Sequence, residues 1–198
     1  MTKPRLVIGL TGASGSMLGA RALEMAKALG VETHLVMTKA AEMTIGYETD
    51  RHPKEIAASA DVVYNPADVG AAIASGSFRC LGMLVAPCSV NTLSEIAYGT
   101  TNNLLTRAAD VQLKERRRLV LMVRETPLHT GHLRAMTQAS EIGAVIMPPM
   151  PAWYAEPATV ADIEIQLAAR ALDLFGLDAP EAKRWGEDLE KGRRGRAG

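Results

Sequence analysis

Two short apolar runs, at residues 81–86 and 119–123, bracket a helical region rich in hydroxyls and amides at its start and in cations further along. Apolar runs of about four to eight residues bounded by turn signals read as strands buried on both faces. The stretch from Met83 to Arg124 therefore predicts a buried strand, a ligand-binding turn with helices, and a second buried strand. That order constrains the whole chain towards an α/β fold.

The alternation recurs on both sides. Residues 5–10 form an apolar run that leads into Thr11-Gly12-Ala13-Ser14-Gly15-Ser16, after which Leu18, Ala22, Met25, Ala26 and Leu29 recur at helical spacing up to Gly30. Glycines at 12 and 15 let backbone approach a ligand, and the helix start offers unpaired N–H groups to an anion; the same residues also suit an ordinary tight βα turn. Residues 32–37 form the next strand, and Thr38-Lys39 opens a helix that ends within 46–50, placing either a phosphate-binding pair or a plain Thr cap at a strand's carboxyl end. A short helix at 53–60, a strand near Val62-Val63 and a polar turn at 75–77 follow.

Pro87 is expected to stop the 81–86 strand. Ser89, Asn91 and Thr92 then start a helix that ends near Gly99, and Asn102-Asn103 begin another. On the latter, Arg107, Asp110 and Lys114 share one face and Leu104, Ala108 and Val111 the other. Strand 119–123 delivers Arg124-Glu125-Thr126-Pro127 at its carboxyl end, where open α/β sheets place ligands. A helix at 129–142 closed by Gly143, a strand at 144–147, and a proline-stiffened loop presenting Trp153 and Tyr154 come next. The last helix, 157–175, has Val160, Ile163, Leu167, Ala168, Ala171 and Leu174 as its buried stripe, with Arg170 at the edge. Trp185 is expected to anchor the tail on a neighbour, and residues 188–198 to be disordered.

Strands alternating with helices predict a single α/β domain over residues 1–187, a doubly wound parallel sheet of Rossmann-like or flavodoxin-like type, with its polar turns gathered into one pocket. The apolar share of 47% against 22% charged residues supports a sizeable core. Acidic and basic residues number 22 each, so no whole-molecule field recruits nucleic acid or a membrane. No apolar run approaches the ~18 to 20 residues of a membrane span, and Met1–Leu10 lacks a signal-peptide pattern, so a cytoplasmic protein is expected. Cys80 and Cys88 read as free thiols, since a strand rising about 3.3 Å per residue holds them beyond disulfide reach. The His129-x-x-His132 pair has no ligand cluster beside it, and no metal is expected.

Five motifs in order make the reading specific: Gly-Leu-Thr-Gly-Ala-Ser-Gly at 9–15, Ala-Pro-Cys-Ser-Val-Asn-Thr-Leu at 86–93, Asn-Leu-Leu-Thr-Arg-Ala-Ala-Asp-Val-Gln-Leu-Lys-Glu-Arg-Arg at 103–117, Arg-Glu-Thr-Pro-Leu at 124–128 and Gly-Ala-Val-Ile-Met-Pro at 143–148. Together they resemble the UbiX-type flavin prenyltransferases over nearly the whole chain. The resemblance implies transfer of a dimethylallyl group from dimethylallyl monophosphate to N5 and C6 of reduced FMN, giving prenylated FMN for UbiD-type decarboxylases. By motif match, Gly12, Ala13, Ser14, Thr38, Ser89, Val90, Asn91, Thr92 and Arg124 would hold FMN, and Tyr154 and Arg170 the prenyl phosphate. Arg107, Lys114 and Glu125 would stand beside them, and Glu48 would reach in from a neighbouring subunit of a large homo-oligomer with interfacial sites. Ser14, Glu48, Glu125 or the released phosphate would carry the proton of ring closure, while the cations, with no metal, stabilise the leaving phosphate. Trp153 stands where the family usually has Phe or Tyr.

Two other readings are weighed against this one. A flavoprotein cysteine decarboxylase would show a Pro-Ala-Ser-Ala-Asn type of motif and a catalytic histidine, where this chain has Pro-Cys-Ser-Val-Asn. A non-catalytic FMN-binding subunit of a phenolic-acid decarboxylase would not need Tyr154, Arg170 and Lys114.

Overall fold

The computed structural model describes residues 3–187. Strands β1 (Arg5–Leu10), β2 (Glu32–Met37), β3 (Val62–Tyr64), β4 (Gly82–Cys88), β5 (Arg118–Val123) and β6 (Val145–Ile146) form one sheet in the order β3-β2-β1-β4-β5-β6. Every pairing is parallel. This order builds outward from β1 and then returns to its other side, so the Rossmann-like alternative holds rather than the flavodoxin order. It creates one switch point, between β1 and β4, where the connections part to opposite faces.

The helices are α1 (Met17–Ala28), α2 (Lys39–Glu48), α3 (Pro53–Ser59), α4 (Val90–Ala97), α5 (Leu104–Lys114), α6 (Thr130–Glu141) and α7 (Val160–Asp173). The two-residue period of the strands splits the core into two layers. Leu6, Ile8, Leu10, Leu84, Ala86, Val120 and Met122 face the layer built with α1 and α7. Val7, Met83, Val85, Leu119, Leu121 and Val123 face the layer built with α4, α5 and α6.

Several expected boundaries move. β4 does not stop at Pro87 but runs through it to Cys88, with its register against β5 shifting between Val85 and Cys88. A bulge leaves a residue outside the hydrogen-bond ladder, the one place in an inner strand where a residue without N–H costs nothing. α7 begins at Val160, not Pro157, because Thr159 and Asp162 cap each other: Asp162 N donates to Thr159 Oγ1 at 3.1 Å and Thr159 N to Asp162 Oδ2 at 2.8 Å. Val160 accordingly lies outside the buried stripe, 72% exposed, and β6 keeps only two of its four expected residues. Trp185 packs on its own chain, edge to face with Tyr154 at a centroid distance of 5.4 Å. The expected disorder of 188–198 falls outside the described residues.

One glycine sets how closely α1 lies on the sheet. A Cβ on Gly19 would stand 2.2 Å from the Ala86 carbonyl oxygen and 2.8 Å from Leu10 Cδ1, so helix and sheet meet there backbone to backbone. Gly19→Ala is expected to destabilise the fold by about 1–3 kcal/mol, the usual cost of overpacking, which urea unfolding will measure; an unchanged midpoint would refute this packing account.

Candidate active site at the switch point

The site starts from one buried hydroxyl. Thr11, 1% exposed at the end of β1, donates to the Pro87 carbonyl at 2.7 Å and accepts from Ser89 N at 2.8 Å. The loop after β1 is thereby fastened to the loop after β4 across the switch point. Leu10 pairs with Met37, which sets Thr11 beside Thr38, and Cys88 pairs with Val123, which sets Ser89 beside Arg124. Thr38, the Gly12–Ser14 loop, Ser89 and Arg124 thus lie on four neighbouring strand ends. Three inter-strand steps span about 14 Å, the length of an extended mononucleotide.

Local chemistry shapes each of these ends. Gly12 is required because a Cβ there would stand 2.4 Å from Ala40 Cβ and about 3.1 Å from its backbone, so the loop lies flat on the start of α2. Ala13 is buried while Gly12 and Ser14 face outward. Thr38 caps α2, accepting from Ala41 N at 3.1 Å, and its hydroxyl keeps a proton to donate to a ligand. Ser89 caps α4, accepting from Thr92 N at 3.2 Å and donating to Thr92 Oγ1 at 3.1 Å. Thr92 is consequently buried against Ser89, whereas Asn91 is exposed and donates to Glu95 Oε1 at 3.0 Å. Arg124 is exposed, with its backbone N–H on the Cys88 carbonyl at 3.0 Å. Glu125 accepts from Thr126 N at 2.9 Å.

The glycine loop already holds an anion. Both Glu48 oxygens accept from Gly15 N, at 3.1 and 3.0 Å, and Oε2 accepts from Ser16 N at 2.9 Å. Glu48 therefore seats on the loop of its own chain, at the end of α2, instead of reaching in from a neighbour. Burial pushes its carboxyl up, but hydrogen bonds from the Ser14 hydroxyl and the Ser16 and Gly15 backbone outweigh that and hold it below its usual value. The donors at the start of α1 are the half-charge of a helix N-terminus put to use.

The cations expected in the same pocket are spread along the fold. Arg107, in the first turns of α5, pairs with Asp110 at 2.8 Å. Lys114 ends α5 about 10 Å further along the axis, paired with Glu115 beside the Gly76 turn. Arg117 fixes that turn from just before β5, donating to the Gly76 and Phe78 carbonyls at 2.6 and 2.7 Å. Lys114 thus lies at the amino edge of the sheet, opposite its own chain's glycine loop. Arg170 likewise lies near the end of α7, paired with Asp173. Tyr154 sits on the loop before α7, its hydroxyl 3.5 Å from the Lys183 carbonyl. The single pocket expected from the sequence therefore does not close within one chain. Two cavities of ≈ 630 Å³ at the amino edge, one lined by Arg116, Arg117 and Arg118, involve none of Arg107, Lys114, Tyr154 and Arg170.

Among the described residues no group of three or more His, Cys, Asp or Glu is placed to hold a metal, and no helix is long and apolar enough to cross a membrane. Both cysteines are free thiols, with Cys88 buried and its pKa raised by that burial. Thr11, Asp173 and Arg184 were not singled out from the sequence. Nothing in a Thr-Gly step signals a bridge to residues 76 and 78 positions away, and nothing in a helix-end aspartate signals that two arginines share it.

Known proteins of similar sequence share this fold. The Flavoprotein family model matches residues 1–170. The chain is 54% identical over 187 residues to flavin prenyltransferase UbiX of Thauera aromatica, covering 94% of this chain and 96% of that one. Among solved structures, AnUbiX (PadA1) in complex with FMN and dimethylallyl pyrophosphate superposes with a TM-score of 0.91 at 51% identity, covering 93% of this chain and 98% of that one. A dodecameric FMN-dependent UbiX-like decarboxylase from Escherichia coli O157:H7 does so with a TM-score of 0.89 at 50% identity, covering 91% and 98%.

The Glu48 contact yields a signed pH dependence. A carboxyl whose folded pKa lies below its usual 4.5 contributes stability above that pH and loses it as pH falls through the folded pKa. Glu48→Gln is expected to cost about 0.5 kcal/mol at pH 7 as a helix N-terminal charge is removed, with the difference from the parent chain shrinking as pH falls below 4.5 and vanishing once the folded carboxyl is protonated. Urea unfolding at several pH values measures this; a gap that persists in acid would contradict it.

Proposed function

Since this chain belongs to the Flavoprotein family and, within it, to the UbiX-type flavin prenyltransferases, we infer that it transfers a dimethylallyl group from dimethylallyl monophosphate to reduced FMN and so makes prenylated FMN. The observation that carries the reading is the row of donors on four adjacent strand ends at the switch point, with a glycine loop that receives a carboxylate through backbone N–H groups. That donor set suits a flavin mononucleotide: short hydroxyls, outward backbone N–H groups and one guanidinium. Gly12, Ala13, Ser14, Thr38, Ser89, Val90, Asn91, Thr92 and Arg124 would hold it. Reduced FMN, when bound, supplies the nucleophilic N5 and C6 positions.

The remaining chemistry belongs to the side chains. Breaking the allylic C–O bond puts negative charge on the departing phosphate, and Arg107, Lys114, Arg170 and the Tyr154 hydroxyl supply positive potential to meet it. The Ser14 hydroxyl lowers the Glu48 pKa at the loop, and with Glu125 these two are the groups able to move a proton during ring closure.

Lys114 and Arg170 lie too far along their helices to serve the switch point of their own chain, so we assign them to the site of a neighbouring copy in a homo-oligomer. Met43 and Tyr47 on α2, together with Met150 and Trp153 on the loop before α7, support that assignment. All four are more than 60% exposed, an apolar surface of the kind that marks an interface. The product would serve a UbiD-type decarboxylase, and the free thiols suit the cytoplasm.

The test is anaerobic incubation with reduced FMN and dimethylallyl monophosphate, followed by mass analysis of the flavin. A mass gain of one prenyl unit is expected, with turnover reduced by about 100-fold or more in Lys114→Ala and Arg170→Ala, the scale of losing one preorganised charge-stabilising group. No mass gain would overturn the assignment in favour of a flavin-binding subunit.

A further inference from the structure

The segment after α7 grips both residues assigned to the prenyl phosphate. Its alanines Ala179 and Ala182 are buried in the α1–α7 layer. Gln166 on α7 donates to the Lys183 carbonyl at 2.9 Å and accepts from Lys183 N at 2.8 Å. Lys183 Nζ donates to the Ala155 carbonyl at 2.7 Å, and the same Lys183 carbonyl faces the Tyr154 hydroxyl while Trp185 packs edge to face on the Tyr154 ring. Between them, Arg184 donates to both oxygens of Asp173, through Nη1 at 2.8 Å and Nη2 at 2.9 Å. Asp173 also accepts from Arg170.

Asp173 is therefore a carboxylate shared by two guanidiniums, its side chain 12% exposed. Burial pushes its pKa up, and the bonds from Arg184 and Arg170 more than offset this and hold it ionised. Arg184 also donates through Nη2 to Asp178 Oδ1 at 2.7 Å, an 89% exposed carboxylate, so it bridges two acids and shares Asp173 with Arg170. With Arg184 absent, Asp173 is left able to fork onto Arg170 alone, the geometry that guanidinium and carboxylate favour, and the charge offered to a phosphate is cancelled.

We propose that Arg184 is a positioning residue for the prenyl-phosphate subsite: by engaging both oxygens of Asp173 it keeps Arg170 cationic towards the phosphate, while its neighbours Lys183 and Trp185 set the Tyr154 hydroxyl. The proposal rests on the reading that Tyr154 and Arg170 bind that phosphate. Arg184 itself touches no reacting atom; it acts through Asp173.

Steady-state kinetics with varied dimethylallyl monophosphate, alongside flavin-fluorescence titration of FMN, test it on the full chain. Arg184→Gln is expected to raise the prenyl-phosphate KM about tenfold, the loss of roughly one charge-assisted contact, with the FMN dissociation constant unchanged. Arg184→Lys, which keeps the charge but not the fork, falls between. Adding Asp173→Asn to Arg184→Gln recovers most of the lost affinity, because a neutral amide no longer cancels Arg170; a merely structural role predicts a further loss. An unchanged KM in Arg184→Gln, or no recovery in the double variant, overturns the proposal. Arg170→Ala measured in parallel separates the two failures: if its KM rises while that of Arg184→Gln does not, the subsite stands and the role of Arg184 falls, and if neither rises, the subsite reading falls as well.

Discussion

The crevice between β1 and β4 depends on a single buried hydroxyl. Parallel strands that part to opposite faces have no connection of their own across the gap, so something must set the distance between the two loops. Thr11 does so with one oxygen, donating to Pro87 and accepting from Ser89. Each bond contributes only about 1 kcal/mol net, but a buried carbonyl and N–H left without that oxygen would cost ~1–3 kcal/mol each. The same contact holds Ser89 at the start of α4, so helix start, glycine loop and bulged end of β4 form one rigid unit.

That unit is held together within one chain, whereas the cations proposed for the phosphate are spread along α5 and α7. Flavin-side residues sit on strand ends, which the sheet brings to one edge in every copy. Arg107 and Lys114 lie along α5 and Arg170 along α7, and a helix that starts at the site's edge carries its last residues to the opposite edge. A one-chain fold thus separates what the reaction must combine. We propose that a second copy restores the combination, and the exposed Met43, Tyr47, Met150 and Trp153 support that reading.

Much of the fold was legible because buried parallel strands are written as unbroken apolar runs, as at 81–86 and 119–123. Caps were legible too: Ser89, Asn103 and Gly143 end or start helices where polar or flexible residues interrupt a period. What could not be read was three-dimensional coincidence. A Pro inside β4 looked like a stop because a bulge has no signature of its own, and Arg107, Asp110 and Lys114 looked like one site because a shared helix face hides a 10 Å axial separation. The motif match names Glu48 as a site residue, but its seat on Gly15 and Ser16 follows only from how α2 folds back on the glycine loop. Asp173 and Arg184, 11 residues apart, carry no pattern at all.

We propose that the crevice set by Thr11 is preformed for the flavin. The most direct measurement is the FMN dissociation constant of Thr11→Val, which keeps the side-chain shape and removes the bridging oxygen, determined by fluorescence quenching on protein shown to be folded. Binding weaker by about tenfold or more is expected, the result of losing roughly 1.4 kcal/mol of preorganisation. Unchanged FMN affinity in a folded Thr11→Val chain would contradict it.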